Sequence, residues 1–233
     1  ESFYEKNAVQ LMLASEVESI DVGERQLRLS DGAVLSFDGL GIAMGARPRI
    51  PPIEGTHLAG VHVLRVAAEA RALRERLANA ENVVVVGGGF IGLEVAATAR
   101  LLGRTVTVLE AADRLMGRVV APEISRYFLD LHRGWGSDVK LNTAIGRIVG
   151  ESGRVVAVES STGERIPADL VLLGIGVLPN TEIAAAAGLP VDNGILVDDT
   201  MATGAAGIVA VGDCVSFPHA ALGRRVRLGS VQN

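Results

Sequence analysis

Gly87-Gly88-Gly89-Phe90-Ile91-Gly92 is the stretch whose residue types and spacing most plainly invite chemistry. It spells G-x-G-x-x-G directly after four consecutive valines, Val83 to Val86, and directly before an Ala-rich segment. A glycine-rich turn between a strand and a helix suits a pyrophosphate. Gly87 allows the tight turn, Gly89 lets backbone approach the phosphates without a Cβ in the way, and Gly92 lets the helix pack closely on the strand. The first helical residues, Phe90 and Ile91, present free N–H groups and the positive end of the helix dipole. The next β-branched run, Thr105 to Leu109, ends in Glu110. An acid about 20 residues past the first glycine accepts hydrogen bonds from an adenosine ribose. It would also repel a 2′-phosphate, and Ala111 and Ala112 bring no cation to hold one, so NAD is expected over NADP. Arg114 and Arg118 lie slightly beyond, and either could bend back. The alternative is a tight turn that binds nothing, with Glu110 facing solvent. Glu94 has two readings: a first-turn carboxylate favoured by the helix dipole, or a group beside the nicotinamide.

The rest of the composition removes other chemistries. The chain has 233 residues, 48% hydrophobic and 21% charged, so it can build a core. Its net charge of −5 and lack of a long basic run argue against nucleic acid. One cysteine, Cys214, permits neither an internal disulfide nor a cysteine-built metal site, and a reducing, cytoplasmic setting fits. Cys214 reads as a small buried filler. His57, His62, His132 and His219 match no metal spacing, so no metal is expected. The longest apolar-plus-glycine run, Val83 to Leu93, is shorter than the ~20 residues that cross a bilayer, so no membrane span is expected.

Aromatics are only 3%, so the apolar mass is Ala, Val, Leu and Ile, which suits buried parallel strands under helices. Residues 8–15 could be strand or helix. Residues 24–29 and 33–37 flank Ser30-Asp31-Gly32 and read as a hairpin. Short buried strands are expected at 40–44, 83–86, 105–109, 170–175 and 208–211. Helices are expected at 66–79, 90–102, 122–133 and 181–187. Strand, helix, strand over 83–109 is a parallel βαβ unit. Residues 138–166 read as short strands with turns at 150–153 and 162–163. Prolines 48, 51 and 52 mark one domain boundary, and Pro179-Asn180 marks the other.

The run Val83 to Ala96, with Val108-Leu109-Glu110, resembles the NAD domain of the flavin-dependent pyridine nucleotide-disulfide oxidoreductases. Three further segments agree. Ala43-Met44-Gly45-Ala46-Arg47-Pro48 is similar to A-T-G-x-R-P, Gly174-Ile175-Gly176-Val177-Leu178-Pro179-Asn180 to G-x-G-x-x-P-N, and Ala210-Val211-Gly212-Asp213-Cys214 to the flavin-contacting G-D motif. The ending Arg227 to Asn233 is similar to R-x-E-S-V-Q-N of the ferredoxin reductases that serve oxygenase systems, the putidaredoxin reductase and biphenyl dioxygenase reductase type.

The resemblance implies an α/β fold: a Rossmann-like, glutathione-reductase-type three-layer NAD-binding domain at 56–179, inserted in an incomplete FAD-binding domain at 1–55 and 180–233. The family's first GxGxxG and its C-terminal domain would lie outside this chain, which is therefore expected to be a fragment. The implied cofactors are FAD and NAD. The implied activity is hydride transfer from NADH to flavin, then single electrons to a ferredoxin or rubredoxin. Asp213 would bond a ribityl hydroxyl, Arg47 would lie near the flavin nucleotide, Glu94 near the nicotinamide, and Gly174 and Gly176 along the NAD. Arg118 joins the expected cofactor-binding residues. Met44, Gly229, Gly204-Ala205-Ala206 and Gly134-Trp135-Gly136 depart from the family pattern, and Met44 and Gly229 bear on flavin binding. Two other functions stay open: a dinucleotide-binding or redox-sensing module without turnover, similar to apoptosis-inducing factor, and an inactive fragment.

Overall fold

A computed structural model of the chain describes residues 2–227. The match at 228–233, Gly229 included, lies outside the described residues. The chain divides into two compact units, Arg47–Val177 and Glu1–Ala46 with Leu178–Asn233. The first crossing thus falls ahead of prolines 48, 51 and 52, and the whole proline segment belongs to the Arg47–Val177 unit.

The Arg47–Val177 unit is built on a five-stranded parallel sheet. Its spatial order is Val61–His62, Leu170–Leu173, Asn82–Val86, Thr105–Leu109, Asp138–Lys140. Parallel strands need crossovers, and helices supply three of the four, Ala67–Asn79, Phe90–Leu101 and Pro122–Gly134, while antiparallel strands within 145–167 make the fourth. The Glu69 carboxylate reaches back to accept the Val66 N–H at 3.0 Å, which starts the first of these helices one residue later than the sequence suggests.

Period-two alternation assigns the valine strand to two faces. Val83 and Val85 pack under the helices with Leu93, Ala96, Ala99, Leu73 and Leu77. Val84 and Val86 pack on the other side with Ile148, Val155, Val158 and Ile166. Those last residues come from an antiparallel meander, Ile145–Glu151, Arg154–Ser160 and Arg165–Pro167. The unit is therefore three layers: helices, parallel sheet, meander. Burying one such valine contributes roughly 1.5–3 kcal/mol, so slipping the strand by a residue would expose or bury the wrong set on both faces. The turn at Gly87 is held where that strand ends.

In the other unit, Val17–Asp21, Gln26–Leu29 and Val34–Ser36 form a three-stranded antiparallel sheet. Gly32, at φ +87°, and the Asp31 carboxylate, which accepts the Ala33 N–H at 2.9 Å, make its second turn. Leu40–Ile42 pairs in parallel with Ile208–Ala210, and Val215–His219 joins Ile195–Leu196 and Arg224–Val226. Ile20, Ile42, Ile195, Ile208, Ala210 and Cys214 share the core. Residues 8–15 adopt neither helix nor strand. Their large side chains Val9, Leu11, Met12 and Leu13 are all exposed, so no apolar stripe pays the entropy of ordering them as an element. Among the described residues, no helix is long and apolar enough to cross a membrane.

Candidate functional site

Three neighbouring strands of the Arg47–Val177 unit end level with one another. Val86 is in register with Leu109 on one side and Leu173 on the other. The next residues in each strand's path are Gly87, Glu110 and Gly174. Binding sites of open α/β sheets form beyond such carboxyl ends.

Each glycine of the turn meets a different constraint. Gly87 has φ +106°, a region closed to most side chains, and a Cβ there would lie 2.5 Å from Gly174 O. A Cβ on Gly92 would lie 2.2 Å from Gly87 O, which measures how closely the helix start packs on the turn. A Cβ on Gly88 would lie 2.4 Å from Leu115 Cδ2. Gly89 alone of the four has open space there, with no atom within 4 Å. Gly87 and Gly92 are thus required by the fold, whereas Gly89 is spare unless something else fills that space.

The helix Phe90–Leu101 begins without a side-chain cap, and its N-cap is Gly89. Its first intrahelical bond runs from Leu93 N–H to Gly89 O at 3.0 Å. The N–H groups of Phe90, Ile91 and Gly92 therefore point out of the helix end with no acceptor among the described residues. Phe90 and Ile91 are 55% and 42% exposed, and Glu94, one turn on, is exposed as well.

Glu110 is turned into the site. The Gly88 N–H donates to Glu110 Oε2 at 2.6 Å, and the Ala112 N–H donates to Glu110 Oε1 at 2.8 Å. Each carboxylate oxygen keeps a second lone pair for another donor. The backbone of Glu110 is held too, its N–H bonding Lys140 O and its C=O accepting from Thr143 N–H, both at 2.9 Å. Lys140 is itself fixed between Glu164 and Asp138, at 3.0 and 3.1 Å, and the bonds to these two carboxylates raise its pKa.

The two arginines beyond the acid part ways. Arg114 donates to Val120 O at 2.8 Å, to Ser125 Oγ at 3.1 Å and to Gly117 O, and so is committed to its own loop. Arg118 is exposed, and its Nη2 lies 3.5 Å from the position a Cβ would take on Gly176. Gly176, at φ +108°, accepts the Arg49 N–H at 2.9 Å, which draws the segment after Arg47 alongside it. Arg47 is exposed.

The structure thus brings together Gly87, Gly89, Phe90, Ile91, Gly92, Glu110, Gly174, Gly176 and Arg118 in one unit. Asp213 belongs to the other unit, on the 3-10 turn Gly212–Cys214. There Cys214 is fully buried, with its thiol 3.2 Å from Val211 O. Met44 packs part-buried against that unit's core, and its carbonyl accepts from Asn180 Nδ2 at 2.8 Å. Among the described residues no His, Cys, Asp and Glu cluster could hold a metal. His132 is buried beside Trp135, ring centroids 5.1 Å apart, and burial lowers its pKa. Burial, then Arg76, lowers that of His62. Sequence reasoning missed Leu115 and Met116, which close on Gly88 from the far side of the loop. The Met116 N–H donates to Gly88 O at 2.9 Å. Their only trace in the sequence is an apolar pair inside a charged loop.

The chain is similar to known proteins along its length. Residues 2–233 match the family described as Pyridine nucleotide-disulphide oxidoreductase. Rhodocoxin reductase of Rhodococcus erythropolis is 43% identical over 99% of this chain and 54% of its own length. Rubredoxin-NAD(+) reductase of Pseudomonas putida is 41% identical over 100% of this chain and 60% of its own. The solved ferredoxin reductase for the CYP199A2 system of Rhodopseudomonas palustris superposes with a TM-score of 0.96 at 44% identity, covering 100% of this chain and 57% of that one. The chain spans between half and two thirds of the length of these relatives.

Proposed function

This chain belongs to the pyridine nucleotide-disulphide oxidoreductase family, and from that premise we propose that it is the NAD-binding unit and part of the FAD-binding unit of an NADH-dependent reductase. The parent enzyme passes electrons to a ferredoxin or rubredoxin of an oxygenase system. In this reading Arg47–Val177 is the NAD-binding unit, and Glu1–Ala46 with Leu178–Asn233 belongs to the FAD-binding unit.

The observation that carries the reading is the pairing at the turn. Open space over Gly89 and three unpaired N–H groups lie beside a carboxylate with lone pairs to spare. A dinucleotide fits these donors and acceptors in order. The N–H groups of Phe90, Ile91 and Gly92 take the pyrophosphate, and the space over Gly89 admits it. Glu110 accepts the adenosine ribose hydroxyls. With Arg114 tied into its loop, the cation nearest in sequence to Glu110 is withheld from a 2′-phosphate, which favours NAD. Gly174 and Gly176 let the chain run close along the nucleotide, with Arg118 supplying positive charge. Glu94, exposed one turn into the helix, orients the nicotinamide.

When bound, the flavin supplies the conversion of a two-electron hydride into single electrons. The chain's own contribution there is Asp213 toward a ribityl hydroxyl and Arg47 toward the flavin nucleotide, both proposed from the motif match. A cytoplasmic setting accompanies this function, and a lone buried thiol is consistent with it.

Titration of the chain with NADH tests the reading. Saturable binding that Glu110→Ala weakens is expected. Binding that Glu110→Ala leaves unchanged, or no binding at all, would refute it.

A further inference from the structure

We propose that Arg114 is a positioning residue for the nucleotide: its guanidinium staples the loop that holds Gly88, and so aims the phosphate-binding N–H groups. The inference rests on the nucleotide reading above.

The chain of contacts is continuous. Arg114 bonds Gly117 O, Val120 O and Ser125 Oγ, which ties the loop at both ends to the first turn of the helix Pro122–Gly134. Ser125 is only 2% exposed, and its hydroxyl donates onward to Leu115 O at 2.6 Å. One buried hydroxyl thus links the guanidinium to the residue that packs on Gly88.

The loop then grips the turn. Met116 N–H donates to Gly88 O, and Leu115 closes over the site where a Gly88 side chain would be. Glu110 holds the N–H of the same glycine. Both polar groups of Gly88 are therefore fixed, one by the acid and one by the loop. This sets the direction of the following peptide and of the Gly89 and Phe90 N–H groups.

Met116 sits at φ +49°, a left-handed conformation that residues with a Cβ avoid. Such a residue persists only where its surroundings over-determine it. Arg114 precedes Met116 in sequence and its three acceptors follow it, so these bonds bracket Met116 and supply that constraint. A lysine, with a single donor centre, cannot match a planar fork spread over three oxygens.

The test titrates wild type, Arg114→Met, Arg114→Lys and Ser125→Ala with NADH and with ADP-ribose, which lacks the nicotinamide. Loss of one aiming bond is expected to raise Kd about tenfold for both ligands in Arg114→Met, without rescue in Arg114→Lys. Ser125→Ala should raise both about threefold, with its melting temperature within a few degrees of wild type. Equal loss for the two ligands places the defect in the ADP-ribose portion they share rather than at the nicotinamide. If Arg114→Met fails to fold, Ser125→Ala decides. Kd values within twofold of wild type in the folded variants would overturn the proposal. A wild-type chain that binds neither ligand would overturn the nucleotide reading instead.

Discussion

The two units of this chain are built by different logic. In Arg47–Val177, five parallel strands are covered on both faces, and the strand ends that form the site are neighbours in register. In the other unit the parallel pairing among the described residues is confined to two separate short pairs, Leu40–Ile42 with Ile208–Ala210 and Ile195–Leu196 with Val215–His219, and Val209 and Val211 stay 41% and 43% exposed. One unit gathers most of its site from a short contiguous stretch, Gly87 to Arg118. The other joins segments more than a hundred residues apart in sequence. Local assembly lets backbone donors be aimed by short loops. Assembly from distant segments leaves roles such as that of Asp213 dependent on long-range pairing.

The largest effect should come from Gly87→Ala. Its Cβ would meet Gly174 O while φ stays positive, so thermal unfolding should show a loss of about 3 kcal/mol, and NADH binding should vanish. Gly89→Ala breaks the comparison differently. Nothing in the protein lies within 4 Å of that methyl. The melting temperature should stay within a few degrees while Kd for NADH rises at least about tenfold, since the methyl takes phosphate space. Equal binding by the Gly89 variant would show that the open space is not used.

Glu110→Gln keeps an oxygen for the Gly88 N–H but loses the anion. Kd for NADH should rise about tenfold, and the preference over NADPH should shrink, as competition titration would show. In the other unit, Cys214→Ala removes a fully buried sulfur. It should lower stability by about 1 kcal/mol and leave NADH affinity unchanged, which sharpens the division of labour.

The smallest effect is the pH dependence of stability. Burial lowers the pKa of His132 and of His62 below 6.5 in the folded chain. The unfolded chain then binds protons first as pH falls. Stability should be full above about pH 6.5, decline below it, and level off beneath the folded-state values. A Tm that rises on acidification from pH 7 to 6 would contradict both assignments.

Much of the first unit's layout could be read directly from residue order. The four valines, the glycine turn, the β-branched run and Glu110 follow one another within a single βαβ unit, and each constraint is local. The two-residue strand Val61–His62 carried too little pattern to see. Leu170–Leu173 ends two residues before its apolar run does. The staple of Arg114 was invisible because carbonyls of a loop carry no sequence signature. Its neighbour Arg118, of the same type, went the other way. In the other unit, residues 8–15 have helix-forming composition but no partner face. The strands at 195–196 and 224–226 are fixed by pairing with Val215–His219 rather than by any periodicity of their own.

The most direct measurement follows the backbone amide NMR signals of the glycine turn during NADH titration. The account predicts saturable shifts at Gly89, Phe90, Ile91 and Gly92 with a single Kd, and a smaller change at Gly88, whose N–H is already bonded to Glu110. Binding that leaves those four amides unmoved, or that shifts only residues of the other unit, would contradict it.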